Sequence, residues 1–322
     1  MQDTTSSPRL HILQISPRIP WPVSDGSAIG IYNITRSVAA RGHHITFVAF
    51  APQVDPREQR EDVVGDMPDF CELETVVHDT RNTPWKVLRN LFSPLPYPVS
   101  KYEAPEMYAQ LDALCTERHF DVLHVDHAHM ACYGEYVRKR YGIPYVLREH
   151  NFETTIYRRY VEQAQFLPAR MYFNMQSSRL YRFEATALRH PDVIAAITPE
   201  DARAIHDALA SVSGQTEQDE IPSRQEGVNP GVGRETRSTA EMKGKNRITG
   251  MDAPAEEAAR PLEGDRARVR VIPAGVDIER HRPFDEGCDD AHVVLVGSLA
   301  WAPNSDAAQW FVTSIWPHIS AA

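Results

Sequence analysis

Three short runs in this chain combine residue types able to do chemistry. Ser24-Asp25-Gly26-Ser27 stands where a Pro- and Gly-containing loop gives way to a helical pattern. The first amides of a helix lack intrahelical partners and carry partial positive charge, which suits a diphosphate. Gly26 lets a ligand approach the backbone closely. Ser24 or Asp25 would serve equally as a plain helix cap. The second run, His124-Val125-Asp126-His127-Ala128-His129, leaves a strand and enters a helix. Three histidines within six positions raise the question of a metal, but no carboxylate or cysteine cluster elsewhere completes a ligand set, so none is assigned. The third run is Arg148-Glu149-His150-Asn151. It ends the next strand, and it also reads as an ordinary helix start with Asn151 as cap and Glu153 in the first turn.

The elements around these runs place them on one rim. Residues 10–16 (LHILQIS) form a short β-rich run, followed by the loop PRIPWPVSDG, a helix over 27–41 closed by Gly42, and a second strand over 44–50 (HITFVAF). This is a βαβ unit. Further strands are read at 73–77, 121–125, 144–148 and 192–197, with helices at 103–119, 128–141, 152–189 (broken near Pro168) and 199–209. Strands alternating with helices give an α/β, doubly wound parallel sheet, and such sheets bind ligands outside the carboxyl ends of their strands. Past Ser211 the composition changes. Residues 211–267 contain no aromatic residue and are rich in Gly, Pro, Ser, Glu and Arg; they read as a disordered insertion. Order returns at 269–272, then a strand at 293–296 and an amphipathic helix at 305–315.

Composition bounds the function. A net charge of −10 gives no global field for nucleic acid. The four cysteines show no zinc-like spacing and suit reduced thiols of a cytosolic protein. No apolar run is long enough to span a membrane. Residues 1–9 lack an apolar stretch and read as a flexible lead-in rather than a signal peptide. Residues 156–189 interleave Arg158, Arg159, Arg170, Arg179, Arg182 and Arg189 with tyrosines and phenylalanines. That is either a surface for anionic lipid or a helix packing its aromatics inward.

Three segments carry a family resemblance: the opening unit over 13–50, IPAGVD at 272–277 and VLVGSLAWAPNSDAAQWF at 294–311, with DVLHVDH and PYVLREHN between them. Together they resemble the GT-B glycosyltransferases, in particular retaining members of the glycosyltransferase family 4 type. The resemblance implies that 10–210 is the Rossmann-like, acceptor-side N-terminal half and 268–290 the interdomain linker. Residues 291–322 would be the start of a truncated donor-binding domain. It also implies hexose transfer from a nucleotide diphosphate sugar to a glycan or lipid-linked acceptor, with no cofactor and no metal. Ser24, Asp25, Gly26 and Ser27 would touch the donor phosphates, although many members carry two adjacent glycines where this chain has Gly26-Ser27. His127 and Asp126 would face the sugar or acceptor. His150 or Glu149 would bind the acceptor hydroxyl or help withdraw its proton, with Asn151 beside them. The expected location is cytoplasmic, with peripheral contact at the inner membrane face through 156–189. A polypeptide lacking the donor half would transfer little sugar alone. A non-catalytic acceptor-binding module and a nucleotide-sugar epimerase on the same architecture are the competing readings.

Overall fold

The computed structural model describes residues 8–23, 25–52, 69–211, 268–276, 278, 293–297, 299 and 302–320. Ser24, Asp277, Cys288, most of 1–9 and nearly all of 211–267 therefore lie outside the described residues. The chain divides into two units. The first comprises Met1–Ile19 and Thr35–Ala274, and the second Pro20–Ile34 and Gly275–Ala322.

The first unit is built on seven parallel strands in the order β3-β2-β1-β4-β5-β6-β7. They are β1 (His11–Ser16), β2 (His44–Ala51), β3 (Glu72–Val77), β4 (Val122–Asp126), β5 (Tyr145–Glu149), β6 (Val193–Ala196) and β7 (Val269–Val271). Strand order runs outward in one direction from β1 to β3, then reverses at β4. That reversal between β1 and β4 is the topological switch point of a Rossmann-like sheet, where ligands are bound beyond the strand ends. The central strands are covered on both faces, which is why β1 and β2 read as nearly continuous apolar runs.

The helices of this unit start and stop where local chemistry dictates. α1 (Gly26–Ala39) spans the division between units, and its last turn, from Thr35 on, belongs here. α2 (Pro84–Asn90) has Thr83 as cap, accepting from the Lys86 amide, and a proline in its first turn. α3 (Tyr97–Ser100) and α4 (Pro105–Glu117) likewise open on prolines. A short 3₁₀ turn, Ala128–Met130, leads into α5 (Ala131–Tyr141). Gly142 ends α5 at φ 73°, the left-handed conformation glycine adopts without penalty, and its N–H bonds the Arg138 carbonyl. The helical region expected over 152–189 is broken near Pro168 as read, into α6 (Glu153–Gln163) and α7 (Leu167–Ala187), with Pro168 in the first turn of α7. α8 (Pro199–Ser211) completes the set. Apolar residues of α4, α5, α7 and α8 join β1, β4, β5 and β6 in one core, including Leu13, Leu111, Val125, Tyr133, Leu147, Phe183 and Ile205.

Sequence periodicity missed α2 and α3, which are too short to show one; the Thr-Pro and Pro-Tyr-Pro starts were the available signals. In the second unit, 293–296 is not a strand among the described residues, and Val294 and Val296 are exposed. No neighbouring described backbone pairs with it, so its β-rich composition has no ladder to join. The expected helix at 305–315 begins earlier and runs longer, as α9 (Ala302–Trp310), a π turn at Phe311–Ile315 and α10 (Trp316–Ser320). Among the described residues no helix is long and apolar enough to cross a membrane.

Gly134, in the middle of α5, is where helix and sheet come closest. A Cβ there would lie 2.7 Å from Tyr145 Cε2 and 3.1 Å from Val125 Cγ2. Both neighbours are fully buried and cannot swing aside. Gly134→Val is expected to lower stability by about 2 kcal/mol through overpacking. A Cβ on Gly26 meets nothing within 4 Å, so Gly26→Ala should be nearly neutral. Urea titration of both variants checks this, and equal midpoints would show that α5 does not need the close approach.

Candidate functional site

The site grows from a buried carboxylate. Asp126 is the last residue of β4, at the switch point, and is fully buried. A charge there persists only with partners. Gln14 of β1, a polar residue inside an apolar strand, donates to Asp126 Oδ2 at 2.8 Å. The Gln14 oxygen in turn accepts from the Thr35 hydroxyl at 3.0 Å. On the other side Arg148, opposite Asp126 in the β4–β5 register, brings its guanidinium to 3.5 Å from Oδ1. Burial alone would raise the Asp126 carboxyl, but its polar and cationic surroundings, the Arg148 guanidinium among them, outweigh burial and hold it below the usual carboxylate range.

His150 follows β5 and turns back over this pair. Its Nε2 lies 2.7 Å from Arg148 NH1 and 3.4 Å from Asp126 Oδ1. A guanidinium only donates, so the shorter contact fixes Nε2 as an acceptor and puts the imidazole proton on Nδ1. An acceptor nitrogen cannot also bond the Asp126 carboxylate, so the 3.4 Å approach is proximity rather than a hydrogen bond. Burial lowers the His150 pKa, in keeping with a neutral ring.

Above lies a column of rings. His127 stacks on His150 with centroids 3.8 Å apart and planes 14° apart. His129 stacks on His127 at 4.9 Å, and Tyr102 on His129 at 4.5 Å. His127 sits at φ 70° and is the one non-glycine residue with positive φ among the described residues. Such a conformation costs roughly 1–3 kcal/mol and persists only where the surroundings enforce it. Here the His127 N–H donates to the Arg148 carbonyl at 2.9 Å and its own carbonyl accepts from Met130. Burial lowers the pKa of His127, and that of His129 to about 3, so both rings are neutral at pH 7.

Glu149 belongs to a second buried group. It is 1% exposed, and its carboxyl oxygens have no hydrogen-bond partner among the described residues. Burial and the neighbouring Glu184 push its pKa well up. Glu184 of α7 accepts three hydrogen bonds at the start of α6, but burial outweighs them and raises its pKa to about 8. The bonds come from the Glu153 amide at 2.7 Å, the Thr154 amide at 3.1 Å and the Thr154 hydroxyl at 2.5 Å. An acceptor there satisfies free amides of the first turn of α6.

The structure thus brings Asp126, His127 and His150 together, adding Gln14, His129 and Arg148. Asn151 is exposed in the bend after β5. Asp25, Gly26 and Ser27 belong to the second unit, where Asp25 caps α1: its Oδ1 accepts from the Ala28 amide at 3.1 Å. Gln14 was legible only as an amide inside an apolar strand, and Glu153 and Glu184 only as helix-surface carboxylates.

Residues 25–213 match the glycosyl transferase 4-like domain family, more than half of the chain. The chain belongs to that family, and its parallel sheet is the Rossmann-like fold expected of a GT-B N-terminal half. No curated protein matches it. Among solved structures it is similar to a sucrose-phosphate synthase from Thermosynechococcus elongatus, at 18% identity over 62% of this chain and 45% of that one, with a TM-score of 0.38. It is also similar to Phytolacca americana UGT2 complexed with UDP-2-fluoro-glucose and pterostilbene, at 11% identity over 67% and 53%, with a TM-score of 0.37. The chain spans about half the length of these structures.

Asp126→Asn removes the charge that Arg148, itself 2% exposed, was buried to meet. Leaving one buried partner uncompensated costs about 3–5 kcal/mol. The expected result is a thermal midpoint lowered by roughly 10 °C. An unchanged midpoint in differential scanning calorimetry would mean that Arg148 finds its compensation elsewhere.

Proposed function

We propose that this member of the glycosyl transferase 4-like family moves a hexose from a nucleotide diphosphate sugar to a glycan or lipid-linked acceptor, and that its first unit carries the acceptor side. The observation that carries this reading is His127. It is a histidine held at positive φ at the carboxyl end of β4, beside the switch point, with its ring stacked on His150. Backbone strain of this kind concentrates at functional positions. A neutral imidazole there can accept a hydrogen bond from an acceptor hydroxyl and draw off its proton as the glycosyl bond forms. Asp126 and Arg148 act through the ring as positioning residues. His150 backs His127, and its tautomer is fixed by Arg148.

For the donor, Asp25, Gly26 and Ser27 open α1, and the first-turn amides beyond those Asp25 satisfies suit a diphosphate. Ser24 remains part of that proposal from the sequence alone. A lipid-linked acceptor agrees with the junction of α6 and α7. Tyr157, Tyr160 and Phe173 pack against one another between the helices, while Phe166, Leu167 and Met171 project into solvent. Apolar side chains beside Arg170 suit an anionic membrane surface, and we place the peripheral contact there.

The test is transfer of labelled hexose from a panel of nucleotide sugars, by the protein and by His127→Gly, which relieves the backbone strain while removing the ring. Loss of a positioned general base is expected to slow transfer by about 10²–10⁴-fold, with the thermal midpoint kept. Equal rates in the two proteins, or no transfer from any donor even when the chain is joined to a complete donor-binding domain, would overturn the proposal.

A further inference from the structure

The ring column has a carboxylate beside it that sequence spacing did not place there. Glu153, in the first turn of α6, reaches the histidines that follow β4, and one ligand atom from each of His127, His129 and Glu153 lies within 4.8 Å of the other two. The three come from separate, fixed pieces of backbone. His127 is pinned at φ 70° by its bond to the Arg148 carbonyl. The His129 ring is held between Tyr102 and His127. The amide of Glu153 is tied to Glu184. A second observation points to a missing ligand: the His129 Nε2 is buried and has no hydrogen-bond partner among the described residues. A buried polar nitrogen left unpaired costs about 1–3 kcal/mol, and a cation bound there would remove that cost.

We propose that His127, His129 and Glu153 form a binding site for a single transition-metal dication of the Zn²⁺ type. Two imidazoles and a carboxylate are a zinc donor set, and such a set leaves a fourth position open to water or an anionic ligand. Tetrahedral coordination at zinc–nitrogen distances of about 2.0–2.1 Å puts neighbouring ligand atoms roughly 3.3 Å apart, so the His127 and His129 rings, now stacked 24° from parallel, tilt toward a common point when the ion binds. Nitrogen donors discriminate against Mg²⁺ and Ca²⁺, which take oxygen. Lys101 is the opposing charge. Its ammonium interacts electrostatically with both His129 and Glu153. The site shares His127 with the glycosyl-transfer reading, so an ion bound there would take that ring out of play as a base, and the test reads binding alone.

The experiment is calorimetric titration of the chelator-treated full chain with Zn²⁺, together with the visible absorption of its Co²⁺ adduct. One equivalent should bind, with the intense visible bands of four-coordinate Co²⁺, and millimolar Mg²⁺ should not compete. His129→Ala and Glu153→Gln should each weaken binding at least tenfold. Lys101→Met should tighten it, an effect of opposite sign that a folding defect cannot imitate. Absence of binding would overturn the site. So would binding that both ligand substitutions leave unchanged, which would place the ion on other histidines of the chain, and so would equal binding of Mg²⁺.

Discussion

The buried charge of Asp126 is the constraint around which the site is organised. A carboxylate with no access to water must be met on every side. The residues that meet it come from β1, β5 and the turn after β5, so one charge specifies the identity of several strand positions. Gln14 has to be an amide, since it donates to Asp126 while accepting from Thr35. Arg148 has to be a guanidinium, since it faces both Asp126 and His150 from the adjacent strand. A sheet of apolar strands would fold without any of them. Their presence at the point where strand order reverses couples the register of β1, β4 and β5 to the shape of the rim above.

The same logic recurs under α6. Glu149 ends β5 and points into a group with Glu184 and Glu153, where one carboxyl keeps its proton and another caps the helix. The two groups lie on either side of the residues that follow β5. His150 is drawn toward Asp126, and the start of α6 is drawn toward Glu184. The short segment 150–152 is therefore fixed from both ends, which is how a loop comes to hold a ring stack in register.

Much of this was legible in the residues. Apolar runs such as HITFVAF located the inner strands, and Gly142 marked the end of α5. Knowing that β4 and β5 are parallel neighbours placed Asp126, His127 and His150 on one rim. What could not be read was who reaches across. Gln14 and Asp126 are 112 residues apart, and only the register of β1 against β4 makes them partners. Glu153 looked like an ordinary first-turn acid, because its nearness to His129 depends on where α6 starts after β5. Residues 293–296 erred the other way: β-rich composition describes a half-buried pleated surface, and without a paired neighbour it specifies nothing.

The tautomer of His150 has a consequence for proton traffic. Its Nε2 is occupied by a group that can never accept a proton, and its contact with His127 is face to face rather than along a hydrogen bond. The stack thus conducts no protons inward toward Asp126. Any proton exchanged at the outer end of the column is separated from the interior charge by a ring-on-ring contact that carries none.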